Sequence, residues 1–506
     1  MSFYQDYKPF RNFMRRFKTL PTLIALWSYA RHVFDGESLP RGLPIGLPQS
    51  LAPLNTHFYP WELEILVRET LLHADPAGGE LDLRQWLPLA KAINHIRRLD
   101  DRLSVHTDGP ALLLELNRMA HRQFRWQERQ DLAWIARIYK IYARESIDRL
   151  VQSELGMSTR QVVLFGSHIA GNFIARHSLP TTLDYTSFGI SREAAEGMFE
   201  KVTCDVSQLR TQLREQQSYD PAWLYTWNPL EQRPLIRVDP ARPDEVICPI
   251  PKYALRRLTT GIFYDLIPAK GFDHLYGEAF QRYIGEVCSV SCPPPLFTLR
   301  AEQAYQVGKG ERHDGIDWVL SDAGGHLLIE CKTKRMALGS KMLTNPDSLE
   351  KDLLALARAV VQTYKNTQDV INGRAGWSRG ALPVYPLIVT LDEWYMLGPH
   401  LRETLHEKIQ RLLEEAGLSP TLLIEMPLTI ASVREFEFAV QVIAHVGVSG
   451  LMKEKTAPEH HSAHLFPFLQ TQFPTQLRHA KSALFAEEAM AWVTQTPGGP
   501  ALVPSR

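Results

Sequence analysis

Residues 314–335, DGIDWVLSDAGGHLLIECKTKR, set two apolar runs on either side of a polar turn, with Asp317 at the head of the first run and Glu330 and Lys332 at the end of the second. Aliphatic runs bounded by Asp, Gly and Ser read as strands, and two of them separated by a few turn residues predict an antiparallel hairpin. Two registers fit the turn. A four-residue loop pairs Ser321 with His326 and sets Asp317 opposite Glu330; a Gly-Gly turn pairs Ala323 with His326 and sets Asp317 opposite Lys332. Because side chains alternate along a strand, either register gathers Asp317, Glu330 and Lys332 on one face and sends Trp318, Ile329 and Cys331 to the other. A slip of one residue would part Asp317 from Glu330 and Lys332.

Two carboxylates facing each other across a ladder repel by about 0.2–1 kcal/mol at exposed positions. Partial burial raises that cost unless a cation joins them. Mg²⁺ is the expected cation, with Mn²⁺ as a substitute: it takes oxygen ligands, uses one or two protein carboxylates, and leaves its other positions to water and phosphate. An ion so held stabilises charge on a phosphodiester and activates water. Lys332 stands where it can hold that water or neutralise the phosphorus centre.

Asp317 followed after a short hairpin by Glu330-Cys331-Lys332, with apolar strands leading into both, resembles the PD-(D/E)XK, or restriction-endonuclease-like, nuclease superfamily, and LLIECKTKR is similar to its second motif strand. The likeness covers roughly residues 265–435, where a helix, three strands, a long helix and a further strand follow in the family's order. It implies that Asp317 and Glu330 ligate metal, with the Cys331 carbonyl as an added ligand, and that Lys332 is the catalytic lysine. It also implies a carboxylate on the preceding helix, for which Glu278 is the best match and Glu286 the second. Phe280-Gln281 stands where many relatives carry Phe-Glu, and no proline precedes Asp317. Asp314 lies near the strand start but has the wrong parity for the Glu330 face.

The fold class expected is α/β: a nuclease-like core with a central mixed sheet flanked by helices, and a mainly helical N-terminal half. The boundaries expected are an N-terminal helix and Pro/Gly-rich arm over 1–56, a helical domain over 57–217, a β-containing connector over 218–264, the nuclease-like domain over 265–436 and a helical extension over 437–506. The last residues, TQTPGGPALVPSR, are expected to fray.

On the long helix SLEKDLLALARAVVQTYKNTQDVI, Leu349, Leu353, Leu356, Val360 and Tyr364 make an apolar stripe, while Lys351, Arg358 and Lys365 fall seven apart on the other side with Gln362 beside them. With Lys334 and Arg335, these side chains are the expected contacts to nucleic-acid phosphates. The stretch NRMAHRQFRWQERQ interleaves arginine with Phe124 and Trp126, which fits either a stacking surface or helix packing.

Lysine plus arginine, 56, equals aspartate plus glutamate, 56, so any basic surface must be local. Five cysteines in 506 residues make no disulfide framework and point to a reducing, cytoplasmic setting. No segment reaches the roughly 18 uninterrupted apolar residues of a membrane span. Cys288 with Cys292, and the EHHSAH run, lack a second ligand pair at metal-binding spacing, and VVLFGSHIAGN lacks the acidic partners of a nucleotidyltransferase site.

The expected activity is Mg²⁺-dependent hydrolysis of DNA, leaving 5′-phosphate ends, in restriction or antiphage defence. The rival expectations are a catalytically silent nucleic-acid-binding or scaffold subunit, and an RNase. The helical half could serve a protein partner or a second copy of the chain.

Overall fold

The computed structural model describes residues 3–51, 54–104, 109–127, 131–307, 311–396 and 399–494. The chain divides into two compact units, Met1–Lys270 with Glu487–Arg506, and Gly271–Ala486. It is α/β, and among the described residues no helix is long and apolar enough to cross a membrane. The C-terminal stretch expected to fray lies, but for Thr494, outside the described residues.

The first unit is mainly helical. Its opening helix, Phe3–Met14, buries Tyr7, Phe10, Phe13 and Met14 along one side. The Pro/Gly-rich arm holds two short 3₁₀ turns, Gln49–Leu51 and Leu54–Thr56, and an isolated bridge from Ile45 to Gln85, as the loss of backbone donors at its prolines favours. Four three-residue strands form one sheet: β1 (Ser178–Pro180), β2 (Thr203–Asp205), β3 (Leu235–Arg237) and β4 (Glu245–Ile247), in the order β1-β4-β3-β2. The β-containing connector holds the antiparallel pair β3 with β4, Ile236 opposite Ile247. β1 and β2 lie inside the stretch expected to be helical, where three residues are too few to show a period of two. VVLFGSHIAGN is part of the helix Thr159–Ala175, and Gly166 is there because a Cβ would stand 2.6 Å from Leu258 Cβ.

The second unit carries β5 (Thr298–Ala301), a separate ribbon of β6 (Tyr305–Val307) and β7 (Glu311–His313), then β8 (Trp318–Ser321), β9 (His326–Lys332), β10 (Val384–Thr390) and β11 (Thr429–Ser432). Its five-stranded sheet has the order β11-β10-β9-β8-β5. β10 runs parallel to β9 and β11, while β8 is antiparallel to β9 and β5, so the sheet is mixed. β9 is its middle strand and is buried from His326 through Glu330, opening to solvent at Cys331 and Lys332.

A parallel pair needs a long crossover, and between β9 and β10 it is the helix Pro346–Ile371. Asn345 caps it by accepting from the Ser348 N–H at 3.0 Å, and Pro346 occupies the first turn, where a missing donor costs nothing. Its stripe of Leu353, Leu356, Val360 and Tyr364 is buried against Ile388 of β10 and Leu405, Ile409 and Leu413 of the helix Pro399–Glu415. Each such aliphatic side chain contributes about 1.5–3 kcal/mol by leaving water. The boundary expected after residue 436 falls inside the helix Val433–Val446, whose start is fixed by a capping box in which Ser432 and Glu435 each take the other's backbone N–H.

β8 is tied to the helix Phe272–Ser291 by one aromatic contact. The Trp318 indole donates to the Gln281 carbonyl at 2.7 Å and lies flat on Gly285, where an added Cβ would sit 2.6 Å from Cε2. A rigid indole pinned at its nitrogen has no room to yield. Gly285→Ala should therefore destabilise this unit by about 1–3 kcal/mol, against the helix-propensity gain of about 1 kcal/mol that the same change brings elsewhere. Denaturant unfolding read against wild type measures the sign.

Candidate active site

The motif hairpin adopts the four-residue loop. Asp322 accepts the N–H groups of Gly324 at 2.8 Å and Gly325 at 3.0 Å through Oδ1, and its own N–H donates to the Gly325 carbonyl. The pairs that follow are Ser321 with His326, Leu320 with Leu327, Val319 with Leu328 and Trp318 with Ile329. One step further, Asp317 stands opposite Glu330. The Trp318 face meets the Phe272–Ser291 helix, whereas Ile316, Val319, Leu328 and Val384 pack together on the other face.

Asp317 Oδ2 accepts the Cys331 N–H at 2.6 Å, and the Asp317 carbonyl accepts the Glu302 N–H at 2.9 Å. Lys332 Nζ donates to Glu330 Oε1 at 2.6 Å. Glu330 is only 6 % exposed, and its Oε2 is buried without a hydrogen-bond partner. A buried carboxylate oxygen with no donor carries an uncompensated desolvation cost.

The titrations follow from this crowding. Burial first, then the charge of Glu330, push the Asp317 carboxyl up to about 7, with Glu302 adding to the effect and the Cys331 N–H and Lys332 opposing it. Burial raises Glu330 as well, against the pull of Lys332. Burial draws the Lys332 ammonium down, but Glu330 and then Asp317 outweigh it, and the net shift is upward. Burial holds the Cys331 thiol well above its ordinary value. Asp317 and Glu330 thus titrate as a pair in which ionising one resists ionising the other.

The carboxylate that presses on both members of the pair is Glu302, immediately after β5. It accepts from Gln281 Nε2 at 3.0 Å. Glu302 was missed in the sequence; the signal was Gln281 itself, an amide at the helix position where a carboxylate was sought, which reaches an acid on the edge strand instead. Glu278, one turn earlier, is half exposed and meets His274 Nε2 at 3.4 Å. Asp314 is exposed in the loop before β8.

Among the basic residues, Lys334 Nζ meets Asp352 Oδ1 at 3.2 Å, and Asp352 also accepts from the Ala337 N–H and the Ser340 hydroxyl, each at 2.7 Å. Arg335 Nη2 reaches the Tyr276 hydroxyl at 3.5 Å. Lys351 is exposed. Arg358, Gln362 and Lys365 come together, lining an open depression of about 310 Å³ with Glu415 across from them. From it, Gln362 donates to Asn366 at 3.1 Å and Asn366 to the Gly315 carbonyl at 3.3 Å, two residues before Asp317.

Among the described residues no group of three or more His, Cys, Asp or Glu side chains is gathered closely enough to hold a metal. Cys288 and Cys292 are buried thiols, and the carbonyls of His460 and His461 accept from Lys455. The pair at 317 and 330 still fits a hard divalent ion. Such an ion uses one or two carboxylates and fills the rest of its shell from carbonyls and water, and the orphaned Glu330 Oε2 is an oxygen with nothing else to bind.

The pair also sets a pH dependence. Between the ordinary value near 3.8 and about 7, folded Asp317 holds a proton that the unfolded chain has released. Raising the pH through that interval therefore withdraws stability. Asp317→Asn should flatten the decline measured by urea unfolding in EDTA; Glu393, pushed up to about 8 by burial and by Glu435, should keep a remainder. No family model, curated protein or solved structure matches this chain.

Proposed function

We propose that the chain is a Mg²⁺-dependent nuclease that hydrolyses DNA phosphodiester bonds, with Asp317, Glu330 and Lys332 as its centre. The observation that carries this reading is the buried, partnerless Glu330 Oε2, across the ladder from a second carboxylate and beside a lysine on the same face. Asp317 and Glu330 would hold the ion, with the Cys331 carbonyl as a backbone ligand. A bound divalent ion supplies charge stabilisation at the phosphoryl oxygens and a more acidic water.

The side chains do the rest. Lys332, whose ammonium is held charged by Glu330, is a poor general base and a good donor to a non-bridging phosphate oxygen or an attacking water. Arg358, Gln362 and Lys365, in their shared depression, would take flanking phosphates, and Lys334, Arg335 and Lys351 would extend that rim. Restriction or antiphage defence in the cytoplasm is the context this activity suits.

A second reading has an observation of its own. Lys332 and Glu330 are already closed on each other at 2.6 Å, and among the described residues no third His, Cys, Asp or Glu is gathered closely enough with the pair to complete a metal site. A chain in which that pair stays shut is a nucleic-acid-binding or scaffold subunit that cuts nothing.

Labelled DNA and RNA incubated with Mg²⁺, Mn²⁺ or EDTA separate the readings. Cutting that requires the ion and falls by about 10²–10³-fold in Lys332→Ala, the loss typical of removing one charge-stabilising donor, and similarly in Glu330→Gln, supports the enzyme. Ion-independent cutting, or full activity in both variants, removes the assignment; RNA cut in preference to DNA replaces the substrate.

A further inference from the structure

In the first unit, the ends of three helices bring arginines and tyrosines together. Arg11 is in the last turn of the Phe3–Met14 helix and Arg15 follows one turn later, its N–H on the Arg11 carbonyl at 3.2 Å. Arg210 and Arg214 are likewise one turn apart on the helix Val206–Gln216. Arg210 donates to the carbonyls of Leu71, at 2.6 Å, and Ala74, at the end of the helix Pro60–His73.

None of these four guanidinium groups is paired with a carboxylate among the described residues. Arg11 donates to the Tyr4 hydroxyl and, at 3.1 Å, to Asn12; Arg210 is held by carbonyls and by Thr19. Of the nearby acids, Glu69 is buried and bridged by Arg68 at 3.0 Å, while exposed Asp75, which accepts the Ala77 N–H at 2.9 Å, keeps its charge and acts on Arg210 through space. Helix C-termini attract cations, and each carries roughly half a negative charge. Three ends and Asp75 together leave roughly one and a half of the four positive charges uncompensated. The field reaches His73, whose imidazole is held down to about 3 by burial and then by Arg15, Arg11, Arg210 and Arg214.

Rings stand among the charges. Tyr219 is 40 % exposed, with Tyr4 at 5.0 Å edge-on and Tyr7 also at 5.0 Å. Arg11 lies over the Tyr4 ring at 5.5 Å. From beneath, Tyr7 is fixed by hydrogen bonds to Glu69 at 2.6 Å and His73 at 2.5 Å, so the platform does not rotate freely. Helix capping accounts for the arginines one at a time. It gives no reason for a half-exposed tyrosine held edge-on to Tyr4 within the field of Arg11 and Arg214.

We infer that this face is a binding site for single-stranded nucleic acid, with Arg11, Arg15, Arg210 and Arg214 taking backbone phosphates and Tyr219, backed by Tyr4, stacking a base. Exposed aromatics within a positive groove are the combination that strand-tolerant binders use. The inference does not depend on whether the chain cuts.

Anisotropy of a fluorescein-labelled 20-nucleotide DNA strand with the full chain, in EDTA and across a salt series, tests it. Arg15→Ala with Arg214→Ala should weaken binding at least tenfold and lower the slope of log affinity against log salt by about 1.4, at roughly 0.7 for each single-strand phosphate that is no longer neutralised. Tyr219→Ala should weaken binding by about 5- to 160-fold with the slope unchanged, the range expected for one stacked base. Tyr219→Phe should bind as wild type. An RNA strand binding like DNA agrees with the site. Unchanged affinity and slope in the double arginine variant overturn it, as does duplex held more tightly than single strand, or wild-type affinity in Tyr219→Ala.

Discussion

The register of β8 on β9 is the constraint on which the candidate site depends. Asp322 sets it, by binding two N–H groups of its own turn with one carboxylate oxygen and, with the other, the Val448 N–H at 2.7 Å. That second contact locks the turn to the helix that follows Gly447, so the hairpin cannot slide without breaking a bond outside itself. A slide by one residue would also move Val319 and Leu328 out of their apolar cluster. Core and turn therefore agree, and the juxtaposition of Asp317 with Glu330 is a by-product of burying the strands that precede them.

That agreement explains what was legible in the sequence. The hairpin, its shared face and the Pro346–Ile371 helix were readable because their periods extend over many residues: an alternation of two, and an apolar stripe from Leu353 to Tyr364. Of two registers that the turn allowed, Ser321 opposite His326 is the one formed, and choosing it needed the Asp322 contacts, one of which comes from 126 residues away. β1, β2 and β11 were not readable, because three or four residues carry no periodicity and, unlike β3 with β4 or β8 with β9, they pair with strands that no short turn joins to them. Glu302 was hidden for a related reason. Its approach to the pair is made by β5 pairing with β8, so it is a neighbour of Asp317 in space although nothing in the strand reading of LFTLRAEQAYQV aims it at the hairpin.

A neutral total charge conceals strongly uneven local fields in both units. In one, four arginines converge with no carboxylate paired to them among the described residues; in the other, two carboxylates are driven together while a lysine tempers them. The same low-dielectric surroundings act on both. They suppress the charge of His73 beside cations and that of Asp317 beside anions, and in each case the group that yields is the one with the weakest compensation.

The Lys332–Glu330 contact follows from that balance. With both carboxylates ionised and the lysine charged, the site would hold one net negative charge in a poorly solvated corner. With Asp317 protonated near neutrality, it holds none. The closed ion pair is thus the neutral resting arrangement of three groups that the register forces together, and it does not by itself argue for silence. A divalent ion would change which arrangement is cheapest: two ionised carboxylates and the ion carry no net charge between them, Asp317 would release its proton, and Lys332 would be freed to turn toward a phosphate. On the proposed reading, the affinity for Mg²⁺ would rise with pH up to the Asp317 midpoint, because a proton has to leave for the ion to enter.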